Sequence, residues 1–413
     1  MNANKRDSYK EEIIDPNDRA SKFARDICFA SHKNSDLVRI VPHQPGNFRG
    51  PVGFVWTKDI LEQMADYYVE DGKVVEWSVM EEVENDGAGG KPQFFTLLGE
   101  AEAFRNLGWE IICMTADDFA RSGRLPVVIA NDLNVKGITD ANFHLFQALM
   151  EGYGAALAKA GLVNITGEIA VMKHSITAFC DDNRADQLVL TWGASCIGLA
   201  DRTKLIDGSR IEPCMPVIGL HEHGYRCNGG TLLTNITLDR WGPDPCRAVK
   251  ENEEARDFVR RLTVPSVSYA SFITDLIGWR NALPGRGIFP DIRGIAHITG
   301  GGVWGKFKEM LPPGVGANLY AMPRPPQVLL NAQLYSLGTR YELSDWQGYS
   351  TFHGGCGMLM VCAPGSELAI LQHAQAVGIA ASVVGITTKS ECNEILTISR
   401  FRTDKMLSSE SPE

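Results

Sequence analysis

The stretch GIAHITGGGVWGKFKEMLPPG, residues 294–314, constrains the chain more than any other. An apolar run, Ile295-Ala296-His297-Ile298, meets three consecutive glycines at 300–302. A helix-compatible run from Val303 to Leu311 follows and stops at Pro312-Pro313-Gly314. The pattern is that of a tight turn between a strand and a helix. Exposed backbone N–H groups and the helix dipole both favour negative charge at such a place. An anion site and a plain turn without ligand both fit the motif.

Similar glycine-rich joints recur wherever the pattern changes type. Helical periodicity covers residues 96–107, with Leu97, Leu98, Ala101, Phe104 and Leu107 on one side and Gly108 as the stop. Residues 109–115 then read as a buried strand. A second helix fits residues 141–160, its stripe formed by Phe146, Leu149, Met150, Tyr153, Leu157 and Ala160, with Gly161 at its end. Strands fit residues 163–166, 195–200, 216–220 and 358–362. Ser366 opens a helix to about Val377, and Asp207-Gly208 marks a turn. This mixture predicts an α+β or α/β fold. A chain of 413 residues suggests two or three domains.

Composition narrows the classes of function. The formal net charge of −10 supplies no basic stripe for nucleic acid. No run of about 18 apolar residues predicts a membrane span. The start, MNANKRDSYKEE, lacks the apolar core of a signal peptide. The ten cysteines are scattered without a CxxC pair, which points to free thiols and a reducing cytoplasm. Residues 1–20 and 403–413 are polar and read as frayed ends.

Several clusters can carry chemistry. In Asn85–Lys91, NDGAGGK, the acid, glycines and lysine suit a loop that wraps phosphate, or a solvated turn. The P-loop spacing is absent. In Glu110–Asp118, EIICMTADD, an acidic pair follows an apolar run; it needs a cation or donors, or it caps a helix. Glu168, in ITGEIAVM, is either a paired buried acid or an exposed edge residue. His221 and His223 lack further metal ligands in sequence. Asn228-Gly229-Gly230 opens another helix, and the glycines of YSTFHGGCGM, residues 349–358, suit close backbone packing at a bend.

The order of these motifs resembles the aminoimidazole ribonucleotide synthetase family, the phosphoribosylformylglycinamidine cyclo-ligases of the PurM-like ATP-binding superfamily. The family's DGVGTK loop is similar to Asp86–Lys91. Its strand ending in Asn-Asp resembles Gly108 to Asp118, which places Glu110 and Asp118 at the family's two acids. Its GGETAEM looks like Thr166–Met172, and its EIIDGSKV…VVIGL like Lys204 to Leu220. Its SNGYSLV resembles Cys227–Leu233, its GMAHITGGG Gly294–Gly302, and its TFNMGIGM Thr351–Met358. The resemblance runs from about 80 to about 386, roughly three quarters of the chain.

The resemblance implies two domains. Residues 81–214 would form the N-terminal ATP-binding domain, a mixed sheet that pairs into a barrel in a homodimer. Residues 215–400 would form a C-terminal α/β sandwich domain, with 1–80 an extension of unassigned role and 401–413 a disordered tail. The implied reaction is ATP-dependent closure of the imidazole ring of formylglycinamidine ribonucleotide. ATP would phosphorylate the amide oxygen, and the amidine nitrogen would attack. Asp86, Asp118 and Glu168 would hold Mg2+, while Gly87, Gly89, Lys91 and Glu110 would join Asp86 and Asp118 around ATP. Glu168, Asn228, Thr299, Gly300, Gly301 and Gly302 would bind the phosphoribosyl substrate, and Lys91, Arg226 and Asn228 would act in catalysis.

Three positions depart from the family. Arg226 stands in place of a histidine, Gly90 of a threonine and His353 of an asparagine. Arginine does not exchange a proton near neutral pH, although it can bind phosphate. A paralogue with another phosphate acceptor and a degenerate nucleotide-binding non-enzyme are therefore the alternatives.

Overall fold

The computed structural model describes residues 15–41, 53–58, 60, 67–202, 204–279 and 289–411. The polar end expected at 1–20 falls partly outside these residues; from Asp15 to Ser31 it is a helix. Two compact units emerge. One comprises Met1–Ala116, Pro126–Thr203 and Asp244–Ser268; the other comprises Asp117–Leu125, Lys204–Pro243 and Tyr269–Glu413. The chain therefore weaves between units, and 244–268 belongs with the first rather than with the C-terminal segment expected to contain it.

In the first unit, β1 (Val38–Val41) pairs antiparallel with β2 (Gly53–Trp56), and β3 (Tyr67–Glu70) with β4 (Lys73–Trp77). The main sheet consists of β5 (Val79–Gly87), β6 (Leu125–Val135), β7 (Val163–Val171) and β8 (Leu190–Asp201), in the order β5-β8-β6-β7. β5 and β8 run antiparallel, from Val79 opposite Asp201 to Gly87 opposite Gly193. β6 and β7 are parallel, so their link must cross over, and the helix Phe143–Ala160 makes that link. Gly161 ends this helix in the left-handed conformation, as its glycine predicts.

Two sequence expectations fail here. Gly108 does not stop a helix, and 109–115 is not a strand. Helix Pro92–Leu98 ends at left-handed Gly99, and a second helix, Ala101–Ala120, runs through Gly108. A side chain at Gly108 would collide with the backbone of Gly152 and Tyr153, and one at Gly152 with Arg105. These glycines thus serve a close helix crossing, not a terminus. Residues Ile111–Ala116 of that helix are buried all round, which erases the periodicity that distinguishes a helix from a buried strand.

The second unit is built on β9 (Pro216–His221), β10 (Ile292–His297), β11 (Val315–Leu319), β12 (Cys356–Cys362), β13 (Ala381–Lys389), β14 (Ile395–Ile398) and β15 (Met406–Ser408). Their order is β10-β12-β9-β13-β11-β14-β15, with β11 and β14 parallel. β12 is buried at every residue. The expected disordered tail is instead ordered as far as it is described: β15 pairs with β14, Leu407 is buried, and Glu410 forms an ion pair with Lys308. Among the described residues no helix is long and apolar enough to cross a membrane.

Candidate functional site

The first unit contributes strands β6 and β7 of its main sheet and the loop that follows β5. Successive side chains of a strand face opposite ways. On β6, Asn131 turns inward: its Nδ2 donates to the Tyr153 hydroxyl at 3.3 Å, and its Oδ1 accepts from Trp192 Nε1 at 3.4 Å. Asp132 therefore faces the other way, and it is exposed. In register it lies opposite Glu168 on β7, also exposed. A side chain at Gly167 would strike Asn131, which confirms that Asp132 and Glu168 share the opposite face. Two like charges directly opposite one another are unfavourable until a cation joins them.

The loop Asp86–Lys91 leaves β5 at its end. Asp86 Oδ1 accepts the Gly87 N–H at 2.7 Å, and the Ala88 N–H donates to the Trp192 carbonyl at 3.0 Å. Gly89 is left-handed, with φ 53, and exposed. Lys91 does not follow the expectation of a phosphate contact. Its Nζ donates to Glu110 Oε1 at 2.7 Å and to the Val264 carbonyl at 3.1 Å, with no exposed surface. Glu110, expected beside ATP, also accepts the Ser266 N–H and hydroxyl, at 2.8 and 2.7 Å. The pair is a buried structural tie, because a helix rather than a strand carries Glu110.

The expected metal set of Asp86, Asp118 and Glu168 is divided between the two units. No group of three or more His, Cys, Asp or Glu able to hold a metal occurs among the described residues. Asp86 and Glu168 belong to the first unit and Asp118 to the second. Asp118 Oδ1 accepts from Arg121 Nε at 2.7 Å and from His297 Nδ1 at 3.2 Å. Burial opposes its ionisation, but the His297 hydrogen bond and the Arg121 charge hold its carboxyl well below the usual carboxylate range.

Arg226 lies at the centre of this network and is wholly buried. Its Nη1 donates to Glu222 Oε2 at 2.7 Å, and its Nη2 to Asp117 Oδ2 at 3.2 Å and to His297 Nε2 at 2.7 Å. Asp117 also accepts the N–H groups of Tyr269 and Ala270, each at 2.8 Å. Burial pushes the Asp117 carboxyl up to about 7, against the Arg226 charge. Burial, reinforced by Arg226, pushes His297 down to about 4, so its ring is neutral at pH 7. A guanidinium held this way is not placed to bind phosphate, contrary to the sequence expectation for Arg226.

The remaining second-unit residues do come together. β10 ends at His297, and Thr299–Gly302 turns into helix Gly302–Met310. Gly301, at φ 90, is the helix cap, and the Gly302 N–H donates to the Thr299 carbonyl at 3.0 Å. Gly302 is packed tightly on the backbone of 349–351, whereas Gly300 and Gly301 are exposed. Helix Gly230–Trp241 starts nearby from left-handed Gly229, whose open side is filled by the Phe352 ring. A Cβ at Gly300 would lie 3.7 Å from Asn228 Oδ1. Asn228 Nδ2 is buried and has no hydrogen-bond partner. Two helix N-termini thus meet at the triple-glycine turn beside the Asn228 amide, whose oxygen lies toward Gly300; the N-termini are the part of this arrangement suited to an anion.

Comparison with known proteins agrees with this layout. The AIR synthase related protein N-terminal domain matches residues 71–199, and the AIR synthase related protein C-terminal domain matches residues 285–396. The chain belongs to the AIR synthase related family. Among the relatives of this AIR synthase related chain, phosphoribosylformylglycinamidine cyclo-ligase of Synechococcus sp. (strain CC9605) is 25% identical over 74% of this chain and 79% of its own length. The protein of the same name from Anaeromyxobacter sp. (strain K) is 27% identical over 69% of this chain and 74% of its own. The crystal structure of E. coli HypE, a hydrogenase maturation protein, shares the fold at a TM-score of 0.53, with 14% identity over 95% of this chain and 98% of that one. HypE in complex with ATP gives a TM-score of 0.50 and 14% identity over 86% and 92%.

Within this AIR synthase related chain, sequence reasoning missed Asp132. The signal was present: LPVVIAND, residues 125–132, is an apolar, β-branched run ending in Asn-Asp. It forms the strand β6, whereas 108–118 is helical. His297 was also passed over as part of an apolar run, although it links Arg226 to Asp118.

Proposed function

We propose that this protein is an ATP-dependent cyclo-ligase that closes the imidazole ring of formylglycinamidine ribonucleotide, giving aminoimidazole ribonucleotide, ADP and phosphate. The observation that carries this reading is the shared name of the relatives matched over about 70% of the chain or more. ATP use is supported by the family and by the ATP complex of a protein of the same fold.

The donors present fit the groups involved. Magnesium takes oxygen ligands and is commonly held by one or two carboxylates together with substrate phosphates. Asp132 and Glu168, register partners on one exposed face, supply such a pair. The exposed Gly89 turn supplies backbone toward nucleotide phosphates. The Asn228 amide and the Thr299–Gly302 turn supply donors for the ribose phosphate. ATP, when bound, converts the amide oxygen into a phosphorylated leaving group. The protein's part is positioning and charge neutralisation.

A homodimer belongs to the same proposal. Val83, 64% exposed, and its register partner Ile197 form an apolar pair on the open face of the main sheet, flanked by Glu81 opposite Leu199 and Asn85 opposite Ser195, so the homodimer rests on the family resemblance rather than on this mixed face. The buried Arg226, where the cyclo-ligase resemblance places a histidine, favours a second reading, an ATP enzyme with another phosphate acceptor. Purified protein with ATP, Mg2+ and formylglycinamidine ribonucleotide separates the two. ADP with stoichiometric imidazole product supports the cyclo-ligase; ADP without imidazole supports the other acceptor; neither product removes both.

A further inference from the structure

We propose that Arg226 is a positioning residue, which fixes the His297 ring as its Nδ1–H tautomer and thereby sets the orientation of the strand end leading into the Thr299–Gly302 turn. The inference begins from the backbone. Arg226 has φ 60, a left-handed conformation that a residue with a long side chain adopts only when its surroundings impose it. Here the side chain imposes it. Glu222 and Asp117 clamp the guanidinium on both nitrogens, and the Tyr269 ring lies 5.4 Å from Cζ.

The hydrogen bonds then leave no choice of tautomer. A guanidinium has donors and no acceptor. At 2.7 Å from Arg226 Nη2, His297 Nε2 must be the acceptor and carry no proton. Its remaining proton sits on Nδ1 and is donated to Asp118 Oδ1 at 3.2 Å. An ionised carboxylate accepts only, so Asp118 accommodates the same tautomer, but at 3.2 Å through the longer and weaker of the two bonds, which leaves the choice to Arg226. Both ring nitrogens are occupied, and His297 is a rigid link rather than an acid or base. Its neighbour along the chain, Ile298, holds its N–H on the Gly357 carbonyl at 3.0 Å, and Thr299 opens the glycine turn directly after. Fixing the ring therefore fixes the last residue of β10 next to the proposed anion site. This inference rests on reading that turn as the sugar-phosphate site, but its central test does not depend on any activity.

The test is a long-range proton–nitrogen NMR spectrum of the imidazole rings, with His297 assigned from a His297→Asn variant. The wild-type protein should show one protonated nitrogen, Nδ1, and one bare nitrogen, Nε2. A protonated Nε2 in the wild type overturns the proposal without any further variant. In Arg226→Gln the single tautomer should give way to a mixture, and in Arg226→Lys, which still donates to Nε2, it should be retained. An unchanged ring spectrum in Arg226→Gln overturns the proposal. Should that variant not fold, the wild-type spectrum decides. In kinetics, Arg226→Gln should raise KM for formylglycinamidine ribonucleotide or lower kcat by on the order of a hundredfold, as for a small misplacement of a binding group, with KM for ATP little changed. Loss confined to ATP affinity counts against it. Absence of cyclo-ligase activity in the wild type, with the Nδ1–H tautomer present, removes the functional reading and leaves the positioning role standing.

Discussion

Lys91 Nζ lies 2.7 Å from Glu110 Oε1, and neither side chain has any surface exposed to solvent. The pair ties the start of helix Pro92–Leu98 to helix Ala101–Ala120, and through Val264 and Ser266 it holds the segment that returns to the first unit. Breaking a buried pair by removing one partner leaves an uncompensated charge and costs about 3–5 kcal/mol. Lys91→Met and Glu110→Gln should each lose stability on that scale in urea unfolding. The double variant Lys91→Met with Glu110→Met should recover part of the loss, since no charge is then stranded. A Lys91→Met protein as stable as the wild type, but unable to bind ATP, would return Lys91 to the phosphate contact expected from sequence.

The three glycines of the turn have different work. At Gly302, φ is 62 and a Cβ would collide with the Tyr349 carbonyl oxygen. Gly302→Ala should cost about 2–4 kcal/mol through overpacking and left-handed strain. Gly300 has ordinary space, with only Asn228 Oδ1 within reach of a new Cβ, at 3.7 Å. Gly300→Ala should therefore fold with near wild-type stability yet bind ribose 5-phosphate more weakly, because the methyl occupies the space beside the Asn228 amide. Calorimetry with ribose 5-phosphate and thermal unfolding of both variants check the contrast. Equal binding by Gly300→Ala and wild type would leave the turn a structural feature only.

Much of the second unit was legible in the sequence because its joints are glycines with steric reasons. Gly229, Gly301 and Gly302 are left-handed, and the strands between them are short apolar runs bounded by turns. The helix Phe143–Ala160 was legible for the complementary reason, a one-sided stripe with a glycine stop. The first unit resisted where burial is complete. Once Ile111–Ala116 is buried on all sides, no polar face remains to report a period of 3.6, and Gly108 looks like a stop although it is a contact. That misreading set the acidic end of an expected strand at Asp117-Asp118, which lies on a helix, and drew Glu110 toward ATP although it is buried against Lys91. The Arg226 network was not legible at all. Its members, Asp117, Asp118, Glu222, Arg226 and His297, are spread over 181 positions of the chain, 117 to 297 inclusive, and only the fold brings them within hydrogen-bond distance.

Asp132 and Glu168 are register partners on adjacent parallel strands and share one exposed face. If they hold the cation, Asp132→Asn and Glu168→Gln should each raise the Mg2+ concentration for half-maximal ATP turnover on the order of tenfold or more, by analogy with losses at metal sites. Stability without Mg2+ should be equal or slightly higher, since a like-charge repulsion is relieved. Asp118→Asn should leave the Mg2+ requirement unchanged, because its carboxylate is engaged by Arg121 and His297. A Mg2+ titration of ATP hydrolysis in the three variants decides. A shift in Asp118→Asn alone would restore the original assignment.

Asp345 gives the clearest dependence on pH. Its Oδ1 accepts from Gln333 Nε2 at 2.7 Å, and its Oδ2 from the hydroxyls of Ser399 and Thr403, both at 2.7 Å. The N–H groups of Arg402 and Thr403 add two further donors. Burial opposes ionisation, but these donors outweigh it and hold the carboxyl below its ordinary value. A carboxyl depressed in the folded protein contributes stability that is fully present above its unfolded pKa, about 3.9. That contribution is lost as pH falls below that value through the folded pKa. Asp345→Asn turns an acceptor into a donor facing Ser399 and Thr403, so at pH 7 it should cost about 2–4 kcal/mol. As pH falls below about 3.9 the wild type progressively loses the part of its stability that depends on the Asp345 charge, and the gap between the two proteins should narrow. Urea unfolding at pH 7 and at about pH 3 measures both differences, and a gap that stays constant across that range would mean that the Asp345 charge does not anchor the chain between Ser399 and Thr403.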